Sequence, residues 1–178
     1  MNQTPITTAE IERAIRTIPD FPKPGILFKD ITPVLADPRL FAGVIDLLTA
    51  NYQPGSVDAV VGIDARGFIL AAAAALRLQT GFVPVRKKGK LPFDTHEESY
   101  ELEYGSNTVA IHVDAVKPGA RVLLVDDLLA TGGTAAAAIS LLKKIGANIL
   151  EVNFLIELSF LDGRKKLSDI PTHSLVVY

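Results

Sequence analysis

Between Val122 and Thr134 the chain reads VLLVDDLLATGGT, and few folds accommodate such a stretch. Val122 to Val125 has the composition of a strand buried on both faces. It delivers two adjacent acids, Asp126 and Asp127, to its carboxyl end, and Ala130-Thr131-Gly132-Gly133-Thr134 then leads into the strongly helical AAAAISLLKKI. In open α/β sheets ligands bind beyond the carboxyl ends of strands, beside helix N-termini. Small and hydroxyl residues there let backbone N–H groups and threonine hydroxyls approach a phosphate closely. Two carboxylates would repel that phosphate; they suit a neutral polyol such as a ribose, or a hydrated metal ion. Acid pair and phosphate cradle together point to a sugar phosphate bound with a divalent cation. A plain glycine-rich turn needs neither two acids nor two threonines. No GxGxxG opens a helix and no GxxxxGK[ST] occurs, which excludes the dinucleotide and P-loop readings.

The chain has 178 residues, enough for one domain with a sizeable core, and no break in composition argues for two. A formal net charge of −2 gives no reason to expect a nucleic-acid partner. The absence of cysteine excludes disulfides, thiolate metal sites and cysteine nucleophiles. His96, His112 and His173 lack metal-site spacing. The first twenty residues hold no long apolar core, so no signal peptide is expected. The longest apolar run, Phe68 to Leu76, is too short to span a bilayer. These features describe a cytoplasmic enzyme acting on small molecules, with neither nucleic acid nor membrane as partner.

Along the chain, Thr7-Thr8-Ala9-Glu10 has capping-box spacing, and Ile11, Ala14, Ile15 and Ile18 recur at helical intervals before Pro19. Phe21 to Pro33 reads as an extended loop. Asp37-Pro38 is an N-cap and first-turn pair for a helix whose apolar stripe includes Leu40, Phe41, Val44 and Leu48. Val57 to Ile63 is a buried strand ending in Asp64-Ala65-Arg66-Gly67, followed by an alanine-rich helix. Phe82 to Val85 is a second strand, running into Arg86-Lys87-Lys88-Gly89-Lys90. Residues 91–105 are polar, acidic and aperiodic, as expected of a lid or binding loop. Val109 to Val113, Ile149 to Leu158 and Leu175 to Tyr178 complete the strands. Alternating strands and helices predict an open, mostly parallel sheet with helices on both faces and a flexible lid loop.

These segments resemble the type I phosphoribosyltransferases, and within that family its adenine-using branch. The strand, acid pair and ATGGT cradle at 122–134 carry the general likeness. The branch is carried by PDFP at 19–22, PGILFKD at 24–30, GIDARGF at 62–68, VRKKGKLP at 85–92 and YELEYG at 100–105. They stand in the family's order and cover nearly the whole chain. The resemblance implies one domain over 1–178, with a base-binding loop inside 1–36 and a lid at 87–105. It implies a purine-salvage transfer of phosphoribosyl from 5-phosphoribosyl 1-pyrophosphate to adenine, giving AMP and pyrophosphate, by a homodimer.

What the resemblance implies for single residues is specific. Ala130, Thr131, Gly132, Gly133 and Thr134 would cradle the 5′-phosphate, and Asp126 and Asp127 would hold the ribose hydroxyls. Arg66 would meet the pyrophosphate, together with Arg86, Lys87 and Lys90, some of them reaching across a dimer interface. Phe28 would stack on adenine while the backbone of Leu27 and Lys29 reads its edge. Glu103 would be the catalytic acid that shares a proton with the purine. Magnesium would be bound mainly through the sugar pyrophosphate, with no direct protein ligand. Lys29 departs from the arginine often found there, a real change at a bidentate site but a small one if the backbone does the reading. The rival readings are a transferase for hypoxanthine, xanthine or orotate, and a regulator that keeps the sugar-pyrophosphate site without catalysis. A regulator would be expected to carry an added DNA-binding domain or a basic RNA-binding face, and this acidic chain shows neither.

Overall fold

The computed structural model of the protein describes residues 5–101, 105–167 and 170–178. They fall into two compact units, residues 1–47 and residues 48–178.

In the first unit, Thr7 caps helix α1 (Thr8–Ala14). Its hydroxyl accepts from the Glu10 N–H at 3.3 Å, while the Glu10 carboxylate accepts from the Thr7 N–H at 3.0 Å. The capping box read from the sequence is therefore present. The helix stops sooner than the periodicity predicts. Ile18 lies in strand β1 (Arg16–Pro19), opposite Phe28 in strand β2 (Leu27–Asp30). Pro19 biases Ile18 toward extended backbone, and β-branched Thr17 and Ile18 favour a strand. The stretch read as an extended loop thus contains half of a hairpin, closed where the Gly25 N–H donates to Asp20 Oδ1 at 2.8 Å. Helix α2 (Thr32–Ala36) follows, and Asp37 then caps helix α3 (Pro38–Leu48) through the N–H groups of Arg39 and Leu40.

The second unit is built on a seven-stranded sheet. Its strands are β3 (Ala59–Ile63), β4 (Gly81–Lys87), β5 (Thr95–Glu101), β6 (Ser106–His112), β7 (Arg121–Leu129), β8 (Asn148–Glu157) and β9 (Thr172–Val177). Their order in the sheet is β5-β6-β4-β3-β7-β8-β9. From β4 to β9 all neighbours run parallel, and β5 and β6 add an antiparallel pair at one edge. Thr95–Glu101 is accordingly a strand, where the sequence pattern predicts an irregular lid. Only its side chains facing helix α5 (Gly133–Lys144) need cover, so the segment stays polar without losing its backbone pairing.

Alternation along the central strands sorts the core. Ala59, Val61, Ile63, Val122 and Leu124 pack in one cluster with Ala138, Leu141 and Leu142 of α5. Val60 and Leu123 between them are equally buried but point the other way. That face is covered by helix α4 (Arg66–Arg77), which packs on β3 and β7 and brings Phe68 edge-on to Phe82 at 5.3 Å. The expected sheet with a helix on each face is therefore present. Leu124 is fully buried at its centre. Leu124→Ala should lower unfolding free energy by about 2–5 kcal/mol in urea titration; a loss below about 1 kcal/mol would show that the α5 face is loosely packed.

Candidate active site

Neighbouring β3 and β7 send their chains in opposite directions. From β3 the chain passes through α4 to β4, and from β7 through α5 to β8. At such a switch point the two helices part to opposite faces and leave a crevice beyond the strand ends. Pairing of β3 with β7 ends at Gly62 and Val125, whereas β7 stays paired with β8 as far as Leu129 and Glu157. The strand predicted to end at Val125 therefore runs on through the acids, because β8 is long enough to keep it company. Asp126 and Asp127 lie on the stretch of β7 that β3 has left.

Asp126 sits against the first turn of α4. A Cβ placed on Gly67 would fall 2.4 Å from Asp126 Oδ1, so only glycine admits the carboxylate there. The Asp127 N–H donates to the same oxygen at 2.9 Å. Asp127 is 6% exposed, and Arg66 Nε meets its Oδ2 at 2.7 Å. Burial, and then repulsion from Asp127, push the Asp126 carboxyl well above the usual carboxylate range. Burial also raises Asp127, with the Arg66 guanidinium pulling the other way. Two adjacent acids beside one cation have acceptor capacity left for the hydroxyl groups of a ligand.

The loop from Ala130 to Gly132 joins β7 to α5. Gly132 is left-handed, with φ +76°, and a Cβ on it would fall 2.4 Å from the Gly163 carbonyl oxygen. A Cβ on Gly163 would in turn fall 2.1 Å from the Ala130 carbonyl oxygen. The loop is thus pressed backbone to backbone against the short 3₁₀ turn Gly163–Leu167. No side chain caps α5, so the N–H groups of its first turn are suited to an anion. Thr131 is exposed at the loop tip, Gly132 and Gly133 are buried, and the Thr134 hydroxyl donates to the Tyr100 hydroxyl at 2.9 Å.

At the end of β4, Arg86 Nε donates to Asp64 Oδ2 at 3.1 Å and its Nη1 to the Lys90 carbonyl at 3.0 Å. Lys87 and Lys90 are exposed. The structure therefore gathers Arg66, Asp126, Asp127 and the loop 130–134 at the β3–β7 crevice, with Arg86 on the neighbouring strand. Leu27, Phe28 and Lys29 belong to the first unit. There Phe21 meets the Phe28 ring edge-on at 5.0 Å, and Lys29 Nζ donates to Thr17 Oγ1 at 3.1 Å. Glu103 lies outside the described residues. Sequence reasoning assigned nothing to Asp64, Gly67, Tyr100 or Gly163. The first three stand inside quoted motifs, but Gly163, in an ordinary Asp-Gly turn, gives no local signal.

Residues 31–172 match the phosphoribosyl transferase domain. The chain is 60% identical over 162 residues to an adenine phosphoribosyltransferase of Acidothermus cellulolyticus, covering 91% of this chain and 92% of that one. Among solved structures, the adenine phosphoribosyltransferase of Rhodothermus marinus superposes with a TM-score of 0.91 at 51% identity, over 96% of this chain and 98% of the other. That of Saccharomyces cerevisiae, complexed with adenine and an imino-altritol bisphosphate, gives 0.89 at 44% identity, over 94% and 97%.

The acid pair makes a pH-dependent prediction. Folding favours the protonated form of Asp126, so its contribution is favourable below the ordinary value of 3.8 and is lost as pH rises through the raised value of the folded chain. Asp126→Asn should raise Tm at about pH 8, where the native carboxylate is a burden, and lose that advantage near about pH 4. Thermal melts of both proteins across this range check it; a lower Tm for the variant at the alkaline end would show the carboxylate to be stabilised in place.

Proposed function

We propose that this chain, which belongs to the phosphoribosyltransferase family and within it to the adenine phosphoribosyltransferases, joins adenine to 5-phosphoribosyl 1-pyrophosphate and releases AMP and pyrophosphate. The observation that carries this reading is the adjacent Asp126 and Asp127, the second buried and answered by Arg66, at the same crevice as an uncapped helix N-terminus. Adenine in the yeast relative's complex supports the choice of base.

In the transfer the N9–C1′ bond forms while the C1′–oxygen bond to pyrophosphate breaks, leaving positive charge on the ribose and negative charge on the departing group. Asp126 and Asp127 accept from the ribose hydroxyls and compensate the positive charge. Backbone N–H groups of the 130–134 loop and the hydroxyls of Thr131 and Thr134 take the 5′-phosphate. Arg66, Arg86, Lys87 and Lys90 stabilise the leaving pyrophosphate electrostatically. Phe28 stacks on adenine, with the backbone of Leu27 and Lys29 on its edge. Glu103 shares a proton with adenine N7 as N9 attacks.

Magnesium enters as part of the sugar-pyrophosphate substrate. No side chain is assigned to it as a direct ligand. When bound it neutralises charge on the leaving group. The working form is a homodimer, a reading supported by Ile69 and Leu76, seven positions apart on α4 and 44% and 81% exposed. No helix among the described residues is long and apolar enough to cross a membrane.

A base screen tests the reading. Adenine accepts at N1 and donates from its 6-amino group, whereas hypoxanthine presents the reverse, leaving the backbone groups that read the edge unpaired. Radiolabelled-base assays should therefore favour adenine by about 10⁴ or more in kcat/KM; comparable turnover of hypoxanthine would overturn the assignment of base. Glu103→Gln keeps size but removes the titratable proton, and should cost about 10²–10⁴ in kcat with substrate affinities little changed. Single-turnover rates within a few-fold of the native enzyme would place the catalytic proton elsewhere.

A further inference from the structure

We propose that Tyr100 is a positioning residue for the phosphate loop, its hydroxyl holding Thr134 Oγ1 toward the 5′-phosphate. The inference rests on the reading of residues 130–134 as the phosphate cradle and deepens it. Tyr100 stands near the end of β5, paired with Asn107 of β6, and turns its side chain onto the start of α5. A Cβ on Gly133 would fall 3.0 Å from Tyr100 Cδ2, so the ring rests directly on the first helical residue. The partly buried ring also packs against the core beneath α5, which fixes where its hydroxyl can be. That hydroxyl lies 2.9 Å from Thr134 Oγ1.

Each hydroxyl has one proton and two acceptor positions, and each proton can rotate. As the structure stands, Thr134 donates to Tyr100. An anion arriving at the uncapped N-terminus of α5 accepts only donors, so Thr134 must turn its proton to the phosphate. The same separation then serves the reversed bond, in which Tyr100 donates and Thr134 accepts. Two hydroxyls in series, ending on a charged acceptor, polarise one another and strengthen the outer bond. Without the Tyr100 hydroxyl, Thr134 Oγ1 loses the partner that fixes its direction and rotates freely among its rotamers. Tyr100 therefore acts through Thr134 and never touches the sugar phosphate.

Tyr100→Phe keeps the ring on Gly133 and deletes only the hydroxyl. Steady-state kinetics with each substrate varied should show KM for the sugar pyrophosphate rising roughly five- to ten-fold, the scale of one hydrogen bond. KM for adenine should stay within about two-fold and kcat within about three-fold, a split that general loosening of the fold would not produce. Thr134→Val should weaken sugar-pyrophosphate binding, Thr134→Ser should restore it, and adding Tyr100→Phe to Thr134→Val should cost nothing more. Unchanged KM in Tyr100→Phe, or losses that multiply in the double variant, would overturn the role of Tyr100 while leaving the cradle intact. Unchanged binding in Thr134→Val would remove the Thr134 hydroxyl from the cradle and overturn the inference with it, and an adenine transfer absent from the native enzyme would overturn the reaction.

Discussion

Two adjacent carboxylates on one strand, one buried and one half-buried, with one guanidinium to answer them, set the terms for everything around them. Charges so placed are costly to hold unless each finds a partner. Arg66 answers Asp127, while Asp126 is met by backbone: the Asp127 N–H and the bare Cα of Gly67. Moving either helix inward would close on the acids, and moving either outward would strand them. The early end of β3, the glycine at the second position of α4 and the long reach of β8 are all conditions for that pair to exist.

The crevice is divided by sign. Acids project from β7, a helix N-terminus waits beside them on α5, and cations collect where α4 begins and β4 ends. A ligand neutral in its middle and anionic at both ends matches this division along its length. A shortened ligand would place phosphate on carboxylate. Selectivity of this kind comes from the field of the site as much as from contact, and it acts before the ligand is seated.

Much of this was legible in the residues, and the limits have physical causes. The alternation of apolar strands and helices predicted the parallel sheet, because strands buried on both faces must be apolar throughout. Thr95–Glu101 escaped the same reasoning: an edge strand takes its stability from backbone pairing with β6 and needs little apolar content. Ile18 fell on a helical period by chance, and the following proline decided its conformation. The acid pair, Arg66 and the glycine loop, which the structure brings together at one crevice, each lie in a contiguous motif. Gly163 and the Tyr100–Thr134 bond were not, since each depends on two segments far apart in sequence meeting in space.

The contact between Gly132 and Gly163 has a genetic consequence. In most packed pairs, a residue made too large can be suppressed by making its neighbour smaller. Here both partners are already glycine, and the atoms they meet are backbone oxygens, 2.4 Å and 2.1 Å from where a Cβ would stand. No side-chain reduction exists to compensate at either place. A revertant of a Gly163 substitution should therefore arise by restoring glycine or by lengthening one of the two loops, and libraries that vary only residue size around the pair will return none.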